Sequence, residues 1–464
     1  MTPVRPASLV DRSLASVWHP CTQMQRADQV RPLPIVRGQG PWLFDENGKR
    51  YFDAISSWWV NLFGHADKRI NAALIDQLER LPHVMLAGCT HEPAVELAER
   101  LSALTGGALG HCFFASDGAS AVEIALKMSF HHWHNLGRAD KCEFVCLRQS
   151  YHGETLGALA VTDVQVFRDV YDPLLMRAHQ VMSPDARLAS AGQRAADVAA
   201  LAAADLQTLL AERHDHIAAL ILEPLVQGAT GMAMYDPSYL RAARALCDQY
   251  QVHLIADEIA VGCGRTGSFF AFEQAALAGS SPIWPDLLCL SKGISGGYLP
   301  LSLVLSSDRI YQAFMDEDVA RGFLHSHSYS GNALACRAAL AVLDRFEEDQ
   351  VLQANRKQAA ALTAALAGLQ ADPRIEHFRQ LGMIWAFDVR QAHAGLRFAE
   401  RFHLAAREHE LLLRPIGRTV YLMPPYLIDD STAIWLAQRL QATLNDTLKQ
   451  SHLDADSPPE TPTA

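Results

Sequence analysis

The chain has 464 residues, 49% of them apolar, and a formal net charge of −11 at pH 7 with no long basic run. That size and apolar content exclude a disordered chain and imply a large core in more than one domain; the scattered Lys and Arg exclude a phosphate-backbone footprint for nucleic acid and favour small-molecule partners. The longest apolar stretches, 217–222 and 299–305, are far short of a membrane span, and the opening residues lack a basic-then-apolar pattern, so a soluble cytoplasmic protein is expected.

Residues 42–52 alternate apolar groups around the turn Glu46-Asn47-Gly48 and read as a hairpin. A Trp-rich stretch ending at Gly64-His65 follows, and its adjacent Trp58 and Trp59, read as strand residues, should face opposite ways. Helical patterns cover 70–81 and 93–104, a strand 111–115, a helix 120–134 and a strand 143–147. The Ala-rich stretch 186–213 is helical in character, and short apolar runs at 218–222, 253–256, 287–290 and 301–305 read as strands covered on both faces. This alternation implies an α/β layer with a largely parallel sheet. Residues 451–464, rich in Pro, Asp, Thr and Ser, read as a disordered tail. Of nine cysteines only Cys142 and Cys146 lie close together, at a spacing poor for structural zinc, so mostly buried, reduced thiols are expected. His131, His132 and His134 read as a solvated helix face rather than a metal site.

The most informative stretches are His253 to Asp257-Glu258 and Leu287 to Ser291-Lys292-Gly293. In each, a buried strand delivers a charged residue at its C-terminal end, where open α/β sheets bind ligands. A lysine and a carboxylate in one crevice suit pyridoxal phosphate: Lys292 forms a Schiff base, and Asp257 keeps the pyridine nitrogen protonated so that the ring acts as an electron sink. A lysine after a strand is, taken alone, more often a surface residue; the surrounding constellation reverses that judgement. Ser116-Asp117-Gly118-Ala119-Ser120 leads from a strand into a helix, where small residues let a phosphate reach free backbone N–H groups. Alone, it would be an ordinary N-cap by Ser116 or Asp117. Tyr151-His152-Gly153 places an aromatic group at another strand end, as a ring-stacking or a core residue. Gly296-Gly297 permits an irregular turn beside Lys292, and residues 325–332 supply hydroxyl groups able to reach a phosphate.

From Trp18-His19-Pro20 to Tyr421–Tyr426 the chain resembles the class III, fold-type I aminotransferases, on Asp257-Glu258, Gly264-Arg265-Thr266-Gly267 and Ser291-Lys292-Gly293. Within them Ser56-Ser57-Trp58-Trp59, residues 83–91, Arg414-Pro415 and residues 421–426 look like the 7,8-diaminononanoate synthases of biotin biosynthesis. The resemblance implies a mostly parallel seven-stranded sheet in a large domain over 76–334. It also implies a smaller α+β domain from 1–75 and 335–450. By position, Lys292 carries the cofactor, Asp257 pairs with its ring nitrogen, Tyr151 stacks on the ring, and Gly118 and Ala119 bind its phosphate. Ser328 would add a phosphate contact from the partner subunit of a homodimer. Arg414 would pair with the carboxylate of 8-amino-7-oxononanoate, with Trp58, Trp59 and Tyr421 walling the pocket for its chain and for the amino donor, S-adenosylmethionine.

The sequence departs from the usual pattern at Cys21, in place of a frequent tyrosine, at Glu154, in place of an aspartate, and at Ser326-His327-Ser328, in place of Gly-Pro-Thr. Lysine as donor and a broad ω-aminotransferase are the alternative enzyme readings. A cofactor-free binding protein is the alternative outside enzymes.

Overall fold

The computed structural model describes residues 8–455. At its centre a seven-stranded sheet runs in the order His111–Ala115, Ser302–Ser306, Leu287–Leu290, His253–Asp257, Ile217–Leu222, Glu143–Leu147, Ala178–Val181. Only Ser302–Ser306 lies antiparallel to its neighbours, so the sheet is mostly parallel, as expected. The four strands from Ser302–Ser306 to Ile217–Leu222 are buried at every position. Covering helices on both faces demand this, which is why these strands read as continuous apolar runs rather than alternating ones.

The helices start where side chains can take their orphan N–H groups. Asp67 accepts from Arg69 and Ile70 at the head of Lys68–Arg80, His91 from Ala94 before Glu92–Leu104, and Asn332 from Ala335 before Ala333–Glu348. A second region is built from both ends of the chain. The hairpin Trp42–Asp45 and Arg50–Asp53 pairs on one side with Ile35–Gln39 and on the other, in parallel, with Leu411–Leu412. Ile375–Leu381, Ile384–Val389 and Thr419–Leu422 form a three-stranded antiparallel sheet beside it. No described helix is long and apolar enough to cross a membrane.

Several local expectations fail for identifiable reasons. Trp58 and Trp59 are not strand residues: Ser56–Trp59 is a left-handed turn with φ of 50°, 47°, 73° and 75°. Period-two reasoning therefore does not apply to it, and both rings reach the same cavity. The edge strand Ala178–Val181 went unanticipated because its sequence Ala-His-Gln-Val is short and half polar. The Ala-rich segment forms a helix only from Ala195 to Arg213, after a short 3-10 turn at Ala186–Leu188. The final helix, Asp430–Ala455, runs five residues into the stretch read as a tail, and residues 456–464 lie outside the described residues. His132 is not solvated; it is 2% exposed and packs against Trp133 and His253. Cys146, Cys247, Cys263, Cys289 and Cys336 are buried, whereas Cys21, Cys89 and Cys142 are exposed.

Candidate active site

The C-terminal ends of the central strands open into a cavity of about 670 Å³. Parallel pairing sets Asp257 opposite Cys289, and Lys292 follows two residues after the neighbouring strand ends. Lys292 has a φ of 48° and begins a 3-10 turn. Such a conformation costs an L-residue energy and marks a position the surroundings hold in place. Ser291 and Ser295, whose hydroxyls donate to the carbonyls of Leu301 and Leu299, brace that turn on either side.

Asp257 is 4% exposed and accepts from His152 Nδ1 at 2.7 Å and from the Ile259 N–H at 3.1 Å. His152 Nε2 is buried without a partner among the described residues. Lys292 Nζ stands 4.4 Å from the centre of the Trp59 ring. Burial pushes its ammonium below the usual lysine value, and the carboxylates of Asp257 and Glu223 oppose that shift. Trp59 Nε1 donates to the Tyr421 hydroxyl at 3.2 Å, and burial raises that phenol to about 12, so Tyr421 acts as a neutral wall.

The turn that delivers both tryptophans is held by its neighbours. Asp53 accepts from the Ser57 N–H at 2.8 Å and from its hydroxyl at 2.6 Å, and Ser56 Oγ donates to the Met423 carbonyl at 2.7 Å. The buried Arg265 donates to the carbonyls of Pro424 and Asn61, tying the two aromatic segments together. Its neighbour in the sequence motif, Glu258, does not face the cavity. It accepts from the Ala271 and Phe272 N–H groups, both at 2.7 Å, and is structural.

At the head of Gly118–Asn135, Asp117 accepts from the Ser120 N–H. The N-cap reading is therefore correct, and it leaves the Gly118 and Ala119 N–H groups for a ligand at the positive end of the helix. A Cβ at Gly118 would stand 3.0 Å from Ile259 Cγ2, a tight contact that glycine avoids. Pyridoxal phosphate fits this donor set: paired free N–H groups for a phosphate, a buried carboxylate with its own donors for a ring nitrogen, and a lysine between them.

Gly118, Ala119, Tyr151, Asp257, Lys292, Trp58, Trp59, Arg414 and Tyr421 all line this one cavity, as do Cys21 and Glu154. Arg414 lies over the Trp58 ring at 5.1 Å and donates to the Cys21 carbonyl. The Tyr151 hydroxyl donates to Glu154 at 3.0 Å. Ser328 is not brought to the cavity; it is exposed on this chain, and its carbonyl accepts from His83 Nε2 at 2.8 Å.

Two cavity residues carried no signal that sequence reasoning used. Glu223 is 5% exposed and accepts from the Gly228 and Tyr151 N–H groups, and burial raises it to about 7. Its place directly after the buried run 217–222, like Asp257 after its own strand, was the available clue. The His152 contact with Asp257 could have been suspected only from two strand ends converging.

A profile of the Aminotransferase class-III family matches residues 23–444. The chain is 43% identical to an adenosylmethionine-8-amino-7-oxononanoate aminotransferase of Helicobacter pylori, over 91% of this chain and 94% of that one. It is 36% identical to the protein of the same name in Geobacter sulfurreducens, over 94% and 97%. The crystal structure of the Methanocaldococcus jannaschii protein of that name superposes with a TM-score of 0.85 at 31% identity, covering 94% of this chain and 98% of that one. A PLP-bound amine transaminase from an uncultivated Pseudomonas species superposes with a TM-score of 0.86 at 30% identity, covering 93% and 99%. With the lysine, the carboxylate and the phosphate cradle in one cavity, the chain belongs to the class III aminotransferases and is a pyridoxal phosphate-dependent transaminase.

Proposed function

We propose that the enzyme transfers an amino group from S-adenosylmethionine to 8-amino-7-oxononanoate, giving 7,8-diaminononanoate in biotin biosynthesis. The observation that carries this reading is Arg414, a guanidinium without an ion-pair partner among the described residues, set in a cavity that Trp58, Trp59 and Tyr421 also line. Such a site suits a long aliphatic chain that ends in a carboxylate. The names of the relatives agree with it.

Bound pyridoxal phosphate supplies an electron sink for the charge left when the donor carbon loses its proton. Lys292 would hold the cofactor covalently, and its Nζ would carry the proton that leaves the donor carbon. Asp257, oriented by His152 and the Ile259 N–H, would pair with the protonated ring nitrogen. Gly118 and Ala119 would take the phosphate on their N–H groups, and Tyr151 would pack on the ring. Donor and acceptor use the cavity in turn. In a homodimer, Ser328 of the partner subunit would add a contact to the phosphate site.

The test is the visible absorption of the purified holoenzyme, with S-adenosylmethionine and lysine added to separate samples and the product identified by mass. Bleaching by S-adenosylmethionine and formation of 7,8-diaminononanoate are expected. Bleaching by lysine alone moves the donor to lysine, and activity with simple diamines without that product refutes the reading in favour of a broad ω-aminotransferase. Parallel double-reciprocal plots are expected, and intersecting ones would refute the shared pocket.

A further inference from the structure

Behind the wall formed by Trp58 and Arg414 lies a second cavity, of about 510 Å³, which shares Pro20, Cys21, Trp58, Arg414 and Pro415 with the first. The N-terminal segment closes one side of it, and the helix Phe398–Glu408 closes the other. Its charges do not balance. Glu400, the acidic group on its wall, is taken by Arg26, whose Nε donates to it at 3.0 Å. Arg407 has no such partner. Its Nη1 donates to the Arg31 carbonyl at 2.7 Å, its Nη2 meets His403 Nε2 at 2.6 Å, and its Nε is buried without a partner.

His403 fixes this arrangement. Its Nδ1 donates to the Leu413 carbonyl, so its Nε2 is the acceptor that holds Arg407. Burial, helped by Arg407 and Arg414, lowers His403 to about 4, so the ring is neutral and cannot offset the guanidinium. Glu408, the next residue along, pairs with Lys49 at 3.2 Å. Among the described residues neither Arg407 nor Arg414 forms an ion pair; burial lowers Arg407, and Arg414 adds to that while Glu408 opposes it from a distance. Two guanidinium groups without an ion pair at one half-buried cavity favour an anion, because each unpaired charge costs free energy that a shared carboxylate recovers.

We propose that this annex is a carboxylate subsite, in which Arg407 acts with Arg414 to hold the far end of a long-chain acceptor whose reacting end lies at Lys292. The proposal rests on the acceptor reading above for the identity of the chain. It makes Arg407 a specificity-determining residue and His403 the group that positions it.

The experiment measures calorimetric binding of nonanoate, which has the chain and the carboxylate but no reacting group, and of nonan-1-ol, to the holoenzyme and to Arg407→Gln and Arg407→Lys. Arg407→Gln is expected to weaken nonanoate at least about tenfold and leave nonan-1-ol unchanged, as loss of one charge-assisted contact implies. Arg407→Lys, which keeps the charge without the fork, should fall between. Unchanged nonanoate binding in either variant, or equal weakening of both ligands, overturns the proposal. If the binding pattern holds but 8-amino-7-oxononanoate is not turned over, the subsite stands and the acceptor reading falls.

Discussion

Replacing Asp53 with alanine tests whether the left-handed turn at Ser56–Trp59 is held by its neighbours rather than by its own preference. Four successive L-residues with positive φ cost about 1–2 kcal/mol each relative to right-handed backbone. Asp53, fully buried, offsets part of that through the Ser57 N–H, the Ser57 hydroxyl and, at 3.0 Å, His65 Nε2. Hydrogen bonds to a charged acceptor contribute about 1.5–3 kcal/mol each, so with partial relaxation Asp53→Ala should destabilise by about 3 kcal/mol. Asp53→Asn, which can still accept from one Ser57 donor, should cost less. Urea unfolding gives the stability, and visible circular dichroism of the holoenzyme gives the local state, because Trp59 of this turn lies against Lys292. The expected result is a lower midpoint together with an altered dichroic band. If neither changes, Asp53 does not hold the turn; if only the midpoint falls, its contribution lies in anchoring His65.

Arg414→Met should raise the KM for 8-amino-7-oxononanoate by about 10- to 100-fold, the loss of one charge-assisted pair, with a smaller change in kcat. Asp257→Asn should lower the single-turnover rate of band bleaching by at least about 100-fold, since it removes the charge facing the ring nitrogen. Glu223 is raised from an ordinary 4.5 to about 7 by burial, so between these values the folded protein holds a proton that the unfolded chain releases. Its contribution to stability is complete below pH 4.5 and lost as pH rises through about 7. Glu223→Gln should therefore flatten the decline of the urea midpoint across that window, and an identical decline in both proteins would exclude this role.

The parts of the fold legible in the sequence were those governed by local pattern. Ile217–Leu222 and Leu287–Leu290 stood out because a strand covered on both faces is apolar throughout. The hairpin around Asn47-Gly48 stood out because Gly48, at φ 81°, is the residue its turn needs. The turn at Ser56–Trp59 was illegible because nothing local favours it: its support comes from Asp53, Met423 and Arg265, and the latter two are distant in sequence. Lys292 and Asp257 were legible as strand-end charges. Their partners, His152 beside Asp257 and Glu223 near Lys292, follow other strands, and only the folded sheet brings them into one cavity.

The chemistry of the site follows from what burial does to opposite charges. A buried ammonium is driven toward the neutral amine and a buried carboxyl toward the neutral acid, and both shifts act at once around Lys292 and Glu223. Asp257 is buried beside them and receives two hydrogen bonds, from His152 Nδ1 and the Ile259 N–H, which fix the orientation of its carboxylate. Asp257, fixed from two sides, therefore presents its carboxylate at a set angle to the cavity that Lys292 also lines. Hence His152 is a positioning residue: removing it should disturb the ring nitrogen's partner before it weakens the hold on the phosphate.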